Sequence, residues 1–185
     1  MFRPASAFEL IAALAISSDA AAQSTIPKCL PPFAMLVGDR VFARYAVTVA
    51  SSKPVPPDVS KGLAHTYRTV IREQAKLGPN FAAHYTVIEI GCGAATSCVA
   101  IADANTGHVY FPPNVRSATA LLWGTGKFDL KRLNYRPSSR LLIVAGEPNE
   151  SEKRAGLSYY RWNGRDLVLV RFVPAATLCK GSTRI

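Results

Sequence analysis

The sequence predicts an α+β fold: a single domain over residues 23–185, built on a mainly antiparallel sheet with one principal amphipathic helix, stapled by disulfides. Three observations point there. Short β-forming runs follow one another with turn signals between them, the order expected of hairpins. One longer stretch, from Val59 to Leu77, has helical periodicity. Four cysteines stand in a chain that opens on a leader-like segment, a combination that reads as a disulfide framework. The length of 185 residues fits one domain. With 49% apolar and only 18% charged residues, the chain has enough apolar side chains to fold around a core.

Residues 1–22 read as a cleaved secretory signal peptide. Arg3 gives a weakly positive start, Leu10 to Ile16 is a short apolar run, and Ala20-Ala21-Ala22 before Gln23 offers a small-residue cleavage site. The apolar run is too short to span a bilayer, and no later run approaches the required length, so the mature chain is expected to have no transmembrane segment. The expected location is exported, periplasmic or extracellular.

After a proline-punctuated lead-in (Pro27, Pro31, Pro32), Val41 to Ala50 alternates β-formers and is expected to be a strand. Pro54, Pro56 and Pro57 make a loop. Asp58 is expected to cap a helix from Val59 to Leu77, with Leu63, Tyr67, Val70, Ile71 and Leu77 on one face and Gly78-Pro79 as its stop. Phe81 to Ile90 reads as a strand. A cysteine-closed loop then leads to a strand from Val99 to Ala102, a turn ending at Gly107, and a return strand from His108 to Phe111. Ser117 to Trp123 fits a short helix or a strand. Arg140 to Ala145 is a buried strand, Glu147 to Ala155 a polar loop, and Leu157–Trp162 pairs with Asp166–Val173 across Asn163-Gly164. The expected sheet has six or seven strands.

The cysteines are Cys29, Cys92, Cys98 and Cys179. Of the three connectivities, Cys92–Cys98 with Cys29–Cys179 is favoured: the first closes a loop of small residues, and the second ties the chain ends together. A zinc site fits poorly, because the Cys-x5-Cys spacing has no paired histidines beside it. A thiol-dependent enzyme would draw on Cys92, His84 and Glu89, and a metal site on His84 and His108 with Asp103 or Glu89. Both are minor readings. No nucleophile elbow, P-loop, zincin motif, calcium loop or dinucleotide fingerprint is present, so no cofactor and no enzymatic activity are expected.

The net charge is +10. Late basic residues, Arg116, Lys127, Lys131, Arg132 and Arg136, are interleaved with aromatic ones and could form a basic face. Outside the cytoplasm the available polyanions are envelope components and acidic proteins, which argues against nucleic acid as the partner.

Two resemblances follow from particular residues. The run Gly78-Pro-Asn-Phe-Ala-Ala-His84-Tyr85 through Gly91-Cys92-Gly93 to Cys98, together with Arg140-Leu-Leu-Ile-Val144 and Tyr159-Tyr-Arg-Trp-Asn-Gly164, resembles small exported bacterial proteins of unknown function. Tyr85 to Tyr110, read as strand, cysteine-closed loop, strand, turn and strand, is similar in layout to the inhibitory region of the Ivy-type periplasmic lysozyme inhibitors. That resemblance implies a protruding loop that plugs a lysozyme cleft. The loop here is Gly93-Ala94-Ala95-Thr96-Ser97, and its candidate contact residues are Gly93, Thr96 and Ser97. The functional expectation is therefore a non-enzymatic exported binding or envelope-associated protein that meets an anionic partner through the basic face. The alternatives are inhibition of a cell-wall hydrolase by the Cys92–Cys98 loop, or a thiol enzyme.

Overall fold

The computed structural model describes residues 36–49, 53–120 and 131–178. In order these form helices α1 (Asp39–Ala43), α2 (Gly62–Thr66) and α3 (Arg68–Ala75), and strands β1 (Tyr85–Gly93), β2 (Thr96–Asp103) and β3 (Val109–Tyr110). A single 3-10 turn (Pro113–Val115) precedes β4 (Ser117–Ala120), β5 (Leu133–Asn134) and β6 (Leu141–Pro148). A second (Glu152–Arg154) precedes β7 (Gly156–Trp162), β8 (Leu167–Pro174) and helix α4 (Ala175–Leu178). All eight strands join one antiparallel sheet in the order β1-β2-β4-β6-β7-β8. Strand β3 sits beside β2 and β5 beside β6.

The sheet is strongly curled. Strands β1 and β7 are four steps apart in it, about 19 Å in a flat sheet at the usual strand spacing. Yet the ring of Tyr85 on β1 lies 5.3 Å from that of Trp162 on β7, edge to face. Curling is eased where the backbone departs from regular pairing, at a shift between Gly91 and Gly93 and another between Tyr159 and Tyr160. At Gly146 a Cβ would stand 2.0 Å from the Thr119 carbonyl oxygen, so only glycine lets β4 and β6 come this close.

Curling makes one face of the sheet an interior. Val87, Val99, Ile101, Leu142, Val144, Tyr160 and Trp162 fill it, drawn from both ends of the strand order. The outer face is covered in two separate places. Segment 36–45, which includes α1, covers β6 and β7 through Phe42, Leu141, Ile143, Leu157 and Tyr159. Helices α2 and α3 cover β1 and β2 through Ala64, Ile71, Ile88, Ile90 and Ala100. This explains why β1, β2 and β6 are buried on both faces, although antiparallel strands usually alternate.

Strand β1 lies at the edge of the sheet, where unpaired backbone groups invite wrong pairing. Two side-chain amides occupy that edge. Asn80 accepts from the Val87 N–H (2.8 Å) and donates to the Val87 carbonyl (3.1 Å). Gln74, from α3, does the same for Glu89 at 3.0 and 2.7 Å. Each carboxamide reproduces what one residue of a neighbouring strand would supply, and Gln74 ties α3 to the sheet.

Four expectations are corrected. The strand expected over 41–50 is instead helix α1 followed by an extended piece, in which Ala46 bridges to Ser139 and the Val47 N–H donates to Ser138 O. The β-forming residues yield here to the burial of Phe42 against β6 and β7. The helix expected from Val59 to Leu77 is broken at Tyr67, which takes a non-helical conformation (φ −99°, ψ 19°). Within that stretch Val59, Ala64 and Ile71 are buried, while Leu63 and Leu77 are exposed, and Asp58 closes a local turn onto the Ser60 N–H rather than capping the helix. The strand predicted to start at Phe81 starts at Tyr85, because 81–84 form a tight turn. Strand β6 runs on to Pro148, so the polar loop is shorter than expected, and the sheet has eight strands.

Replacing Asn80 with Ala leaves the Val87 N–H and carbonyl without partners. At about 1–3 kcal/mol for a buried group left unpaired, Asn80→Ala is expected to lower unfolding free energy by about 2 kcal/mol. Gln74→Ala should cost less, since Glu89 is only half-buried. Urea unfolding measures both; a change below about 0.5 kcal/mol for Asn80→Ala would mean that the amide does not sustain the edge.

Candidate functional site

Between Asn80 and β1 the chain reverses over Phe81–Tyr85, which bridge each other through both backbone bonds (Phe81 N–H to Tyr85 O and Tyr85 N–H to Phe81 O, each 2.9 Å). The turn puts two successive alanines in the left-handed region, Ala82 at φ 44° and Ala83 at φ 76°. Alanine pays about 1–2 kcal/mol there. The surroundings hold it: the Ala82 N–H donates to the Ser139 and Arg136 carbonyls, and the Ala83 N–H donates to Pro137 O at 2.7 Å. Strain of this kind concentrates at binding and catalytic sites.

Beside the turn lies an open cleft of about 560 Å³. Ala82, Ala83, His84 and Tyr85 of the turn line it, with Ala46, Val47 and Thr48 of the extended piece, Arg140, Trp162 and the Asn163-Gly164 turn. Its size falls within the range of small-molecule sites. Three features give it chemistry. The His84 Nε2 lies 3.7 Å from Asp103 Oδ1, an ion pair whenever the imidazole is protonated, and the Asp103 side chain is nearly buried behind it. The indole N–H of Trp162, itself buried, makes no hydrogen bond of good geometry. It acts on the Tyr85 hydroxyl, whose pKa is raised chiefly by burial, with Asp103 and Tyr110 adding to the rise and the indole and Arg140 opposing it. Rings run in series away from the cleft: His84 to Tyr85 at 4.3 Å, Tyr85 to Trp162 and Trp162 to Tyr110 at 5.3 Å each, and Tyr110 to His108 at 4.3 Å. Gly164 borders the Tyr85 hydroxyl; a Cβ there would stand 3.8 Å from it.

The residues singled out in the sequence fall in several places. Cys92 and Cys98 are bonded, with Cα atoms 5.7 Å apart, across the hairpin between β1 and β2. The thiol-enzyme reading is thereby corrected: Cys92 has no free thiol, and it sits at the far end of β1 from His84. Cys29 and Cys179 lie outside the described residues, as does Lys127. In the hairpin, residues 91–95 are exposed, Gly93 among them, whereas Thr96 and Ser97 belong to β2 and are buried. The Thr96 hydroxyl is shared with Thr119 at 2.9 Å.

The basic residues are dispersed. The Arg116 N–H donates to the Asn149 side chain at the Pro148 end of β6. Arg136 lies at the opposite end, paired with Asp39 and stacked 4.6 Å from the Phe42 ring centre. Lys131 and Arg136 border a smaller hollow of about 240 Å³ with Glu89 and Tyr135, and Arg132 lies beside Ala145. Of the proposed metal ligands only His84 and Asp103 meet, and among the described residues no three His, Cys, Asp or Glu side chains converge.

The sequence reading did not bring Tyr85, Arg140 and Trp162 together. The available signals were the dipeptide His84-Tyr85 directly after two alanines in a Gly-Pro-Asn turn, and a tryptophan at the mouth of a hairpin.

No family model matches the chain, and no curated protein or solved structure matches it either. The intramolecular disulfide is compatible with an oxidising, exported location. Among the described residues no helix is long and apolar enough to cross a membrane.

The smaller hollow carries a pH signature. The Tyr135 hydroxyl donates to Glu89 Oε1 at 3.4 Å, and burial first, then the Glu89 charge, push its pKa up to about 12. A phenol held neutral in the fold stabilises it fully below pH 10, and that contribution is lost as pH rises from 10 towards 12. Tyr135→Phe should flatten this part of the stability profile, followed by urea midpoints from pH 9 to 12. Parallel losses in the variant and the parent would contradict the assignment.

Proposed function

We propose that this chain is a non-enzymatic binding protein of an exported, oxidising location, folded as one α+β domain, and that it takes an anionic ligand in the cleft beside the Ala82–Ala83 turn. One observation carries the reading. A cleft of ligand size gathers a cation, Arg140, and a buried indole N–H, beside a strained turn held by its neighbours. Two successive left-handed alanines cost stability, and this pair stands beside the cleft, where a ligand could gain from the backbone they present. The dispersed Arg116, Lys131, Arg132 and Arg136 support the same sign of ligand at longer range, by raising the local concentration of anions.

The site is located by titrating ¹⁵N-labelled protein with a mixture of acetate, inorganic phosphate and benzoate at constant ionic strength. The largest shifts are expected at the Trp162 indole N–H, the Arg140 side chain and the backbone of Ala83 and His84. Shifts centred on Arg116 or Lys131 would move the site to the basic residues, and the absence of saturable shifts would refute an anion site.

A further inference from the structure

We infer that the outer edge of β8 takes up an extended, acidic peptide segment of another protein as a further strand of the sheet. The two edges of the sheet are finished differently. At β1 the carboxamides of Asn80 and Gln74 occupy the backbone groups of Val87 and Glu89. At β8 the one such contact among the described residues stands at its first residue, where Asn114 Nδ2 donates to the Leu167 carbonyl at 2.9 Å. Beyond it the strand reads Val168-Leu-Val-Arg-Phe-Val-Pro174, and Val168 and Val170 are exposed. Folded proteins usually block an apolar edge of this length. An open one is the template on which a sheet accepts an extended peptide.

The pairing with β7 decides which backbone groups are offered. The Asp166 carbonyl accepts the Asn163 N–H at 3.2 Å, and the Ala175 N–H donates to Ala155 O at 2.9 Å, so both residues turn towards β7. Backbone groups alternate sides along an antiparallel strand. One irregularity interrupts the alternation, between the pairs Tyr160–Leu169 and Tyr159–Arg171. Counted inward from each end, Leu167, Leu169, Phe172 and Pro174 turn outward. Leu167 is taken by Asn114, and proline has no N–H, so Leu169 and Phe172 are the open rungs.

Arginines flank these rungs on both faces of the sheet. On the inner face Arg154 stands 5.6 Å from the Phe172 ring centre, and it borders a hollow of about 310 Å³ together with Leu169 and Tyr160. On the outer face Arg171 stands 5.3 Å from the ring centre of Tyr159, its partner across the strands. A strand presents successive side chains to opposite faces. Neighbouring residues of an added strand therefore meet Arg154 on one side and Arg171 on the other, and carboxylates suit both. Arg161 and Arg165 carry the same sign nearby, with Asp166 the one acid of the β7–β8 hairpin. Glu150 and Glu152, on the loop before Arg154, are exposed and make no ion pair among the described residues. A second copy of this chain would set the same arginines against one another, which disfavours it as the occupant.

The test uses the full-length protein and three short probes: an alternating Val-Glu peptide, its Val-Lys counterpart, and the Val-Glu peptide methylated at every backbone nitrogen. Fluorescence polarisation follows binding, and amide hydrogen exchange locates it. The Val-Glu peptide is expected to bind saturably and to protect the Leu169 and Phe172 amides. The Val-Lys peptide should bind weaker by about tenfold or more. The methylated peptide, which cannot donate to the edge, should not bind. Arg154→Gln and Arg171→Gln should each weaken the Val-Glu peptide by about threefold or more, with melting temperatures close to the parent's because both side chains are exposed. Equal binding of the methylated peptide would remove strand addition, and equal binding of the Val-Lys peptide would remove the acidic partner. Failure of the Val-Glu peptide to bind would overturn the inference. So would Leu169 and Phe172 amides already protected without peptide, sedimentation then telling a second copy from this chain's own segments. The β8 edge shares no lining residue with the cleft beside the Ala82–Ala83 turn, so failure here leaves the anion site untouched.

Discussion

The structure depends on the docking of the Phe81–Tyr85 turn onto the backbone of residues 136–139. Curling a sheet until its first strand approaches its fifth needs a connection across the gap, and this turn is that connection. Its N–H groups at Ala82 and Ala83 point into the carbonyls of Arg136, Pro137 and Ser139. Ser139 extends the junction: its buried hydroxyl donates towards the carbonyls of Phe42 and Tyr45 and accepts the Leu141 N–H. Three separate pieces of chain, the α1 segment, the turn and the start of β6, are thus tied within a few ångströms. The backbone bonds are satisfied only if Ala82 and Ala83 take the left-handed conformation, so the strain at the alanines and the closure of the sheet are one constraint.

The cleft follows from that closure. The curl brings Tyr85 to Trp162, and the turn places His84 over Asp103, at the end of β2. Arg140 reaches the same space because it occupies the residue before β6, on the side of the strand that also carries Leu142 and Val144. None of these side chains is near another in the sequence except His84 and Tyr85. The disulfide lies at the opposite end of β1 and braces the hairpin tip there, independently of the cleft. The chain therefore keeps its covalent staple and its binding groups at different ends of one strand.

Local signals in the sequence made the hairpins legible. The Cys92–Cys98 loop, the Asp103–Gly107 turn and the Asn163-Gly164 turn each have residue types suited to reversing the chain, and the strands on either side follow. The helices were less legible, because their length is decided by what they cover. Val41 to Ala50 has strand-like alternation, but Phe42 gains more by packing on β6 and β7 as a helix. Leu63 and Leu77 look apolar enough for a helix face, yet it is Ala64 and Ile71, with Tyr67 and Val70 beside them, that pack against the sheet. The site was the least legible part. His84 and Asp103 stood out as polar residues on neighbouring strands, and Arg140 and Trp162 as members of a basic, aromatic-rich region. Their meeting requires a curl that no single segment encodes: it arises from pairing shifts, a glycine contact at Gly146 and the long-range turn.

The central claim is that a left-handed turn, held by its neighbours against its own preference, closes the sheet and forms the lip of the cleft. Urea unfolding of Ala83→Gly tests it most directly. Glycine occupies the left-handed region without steric cost, so the variant should be more stable than the parent by about 1 kcal/mol, at an unchanged denaturant slope. Loss of stability on the same substitution, by the ordinary entropic penalty of glycine, would show that Ala83 is not held in the left-handed conformation and would contradict the account.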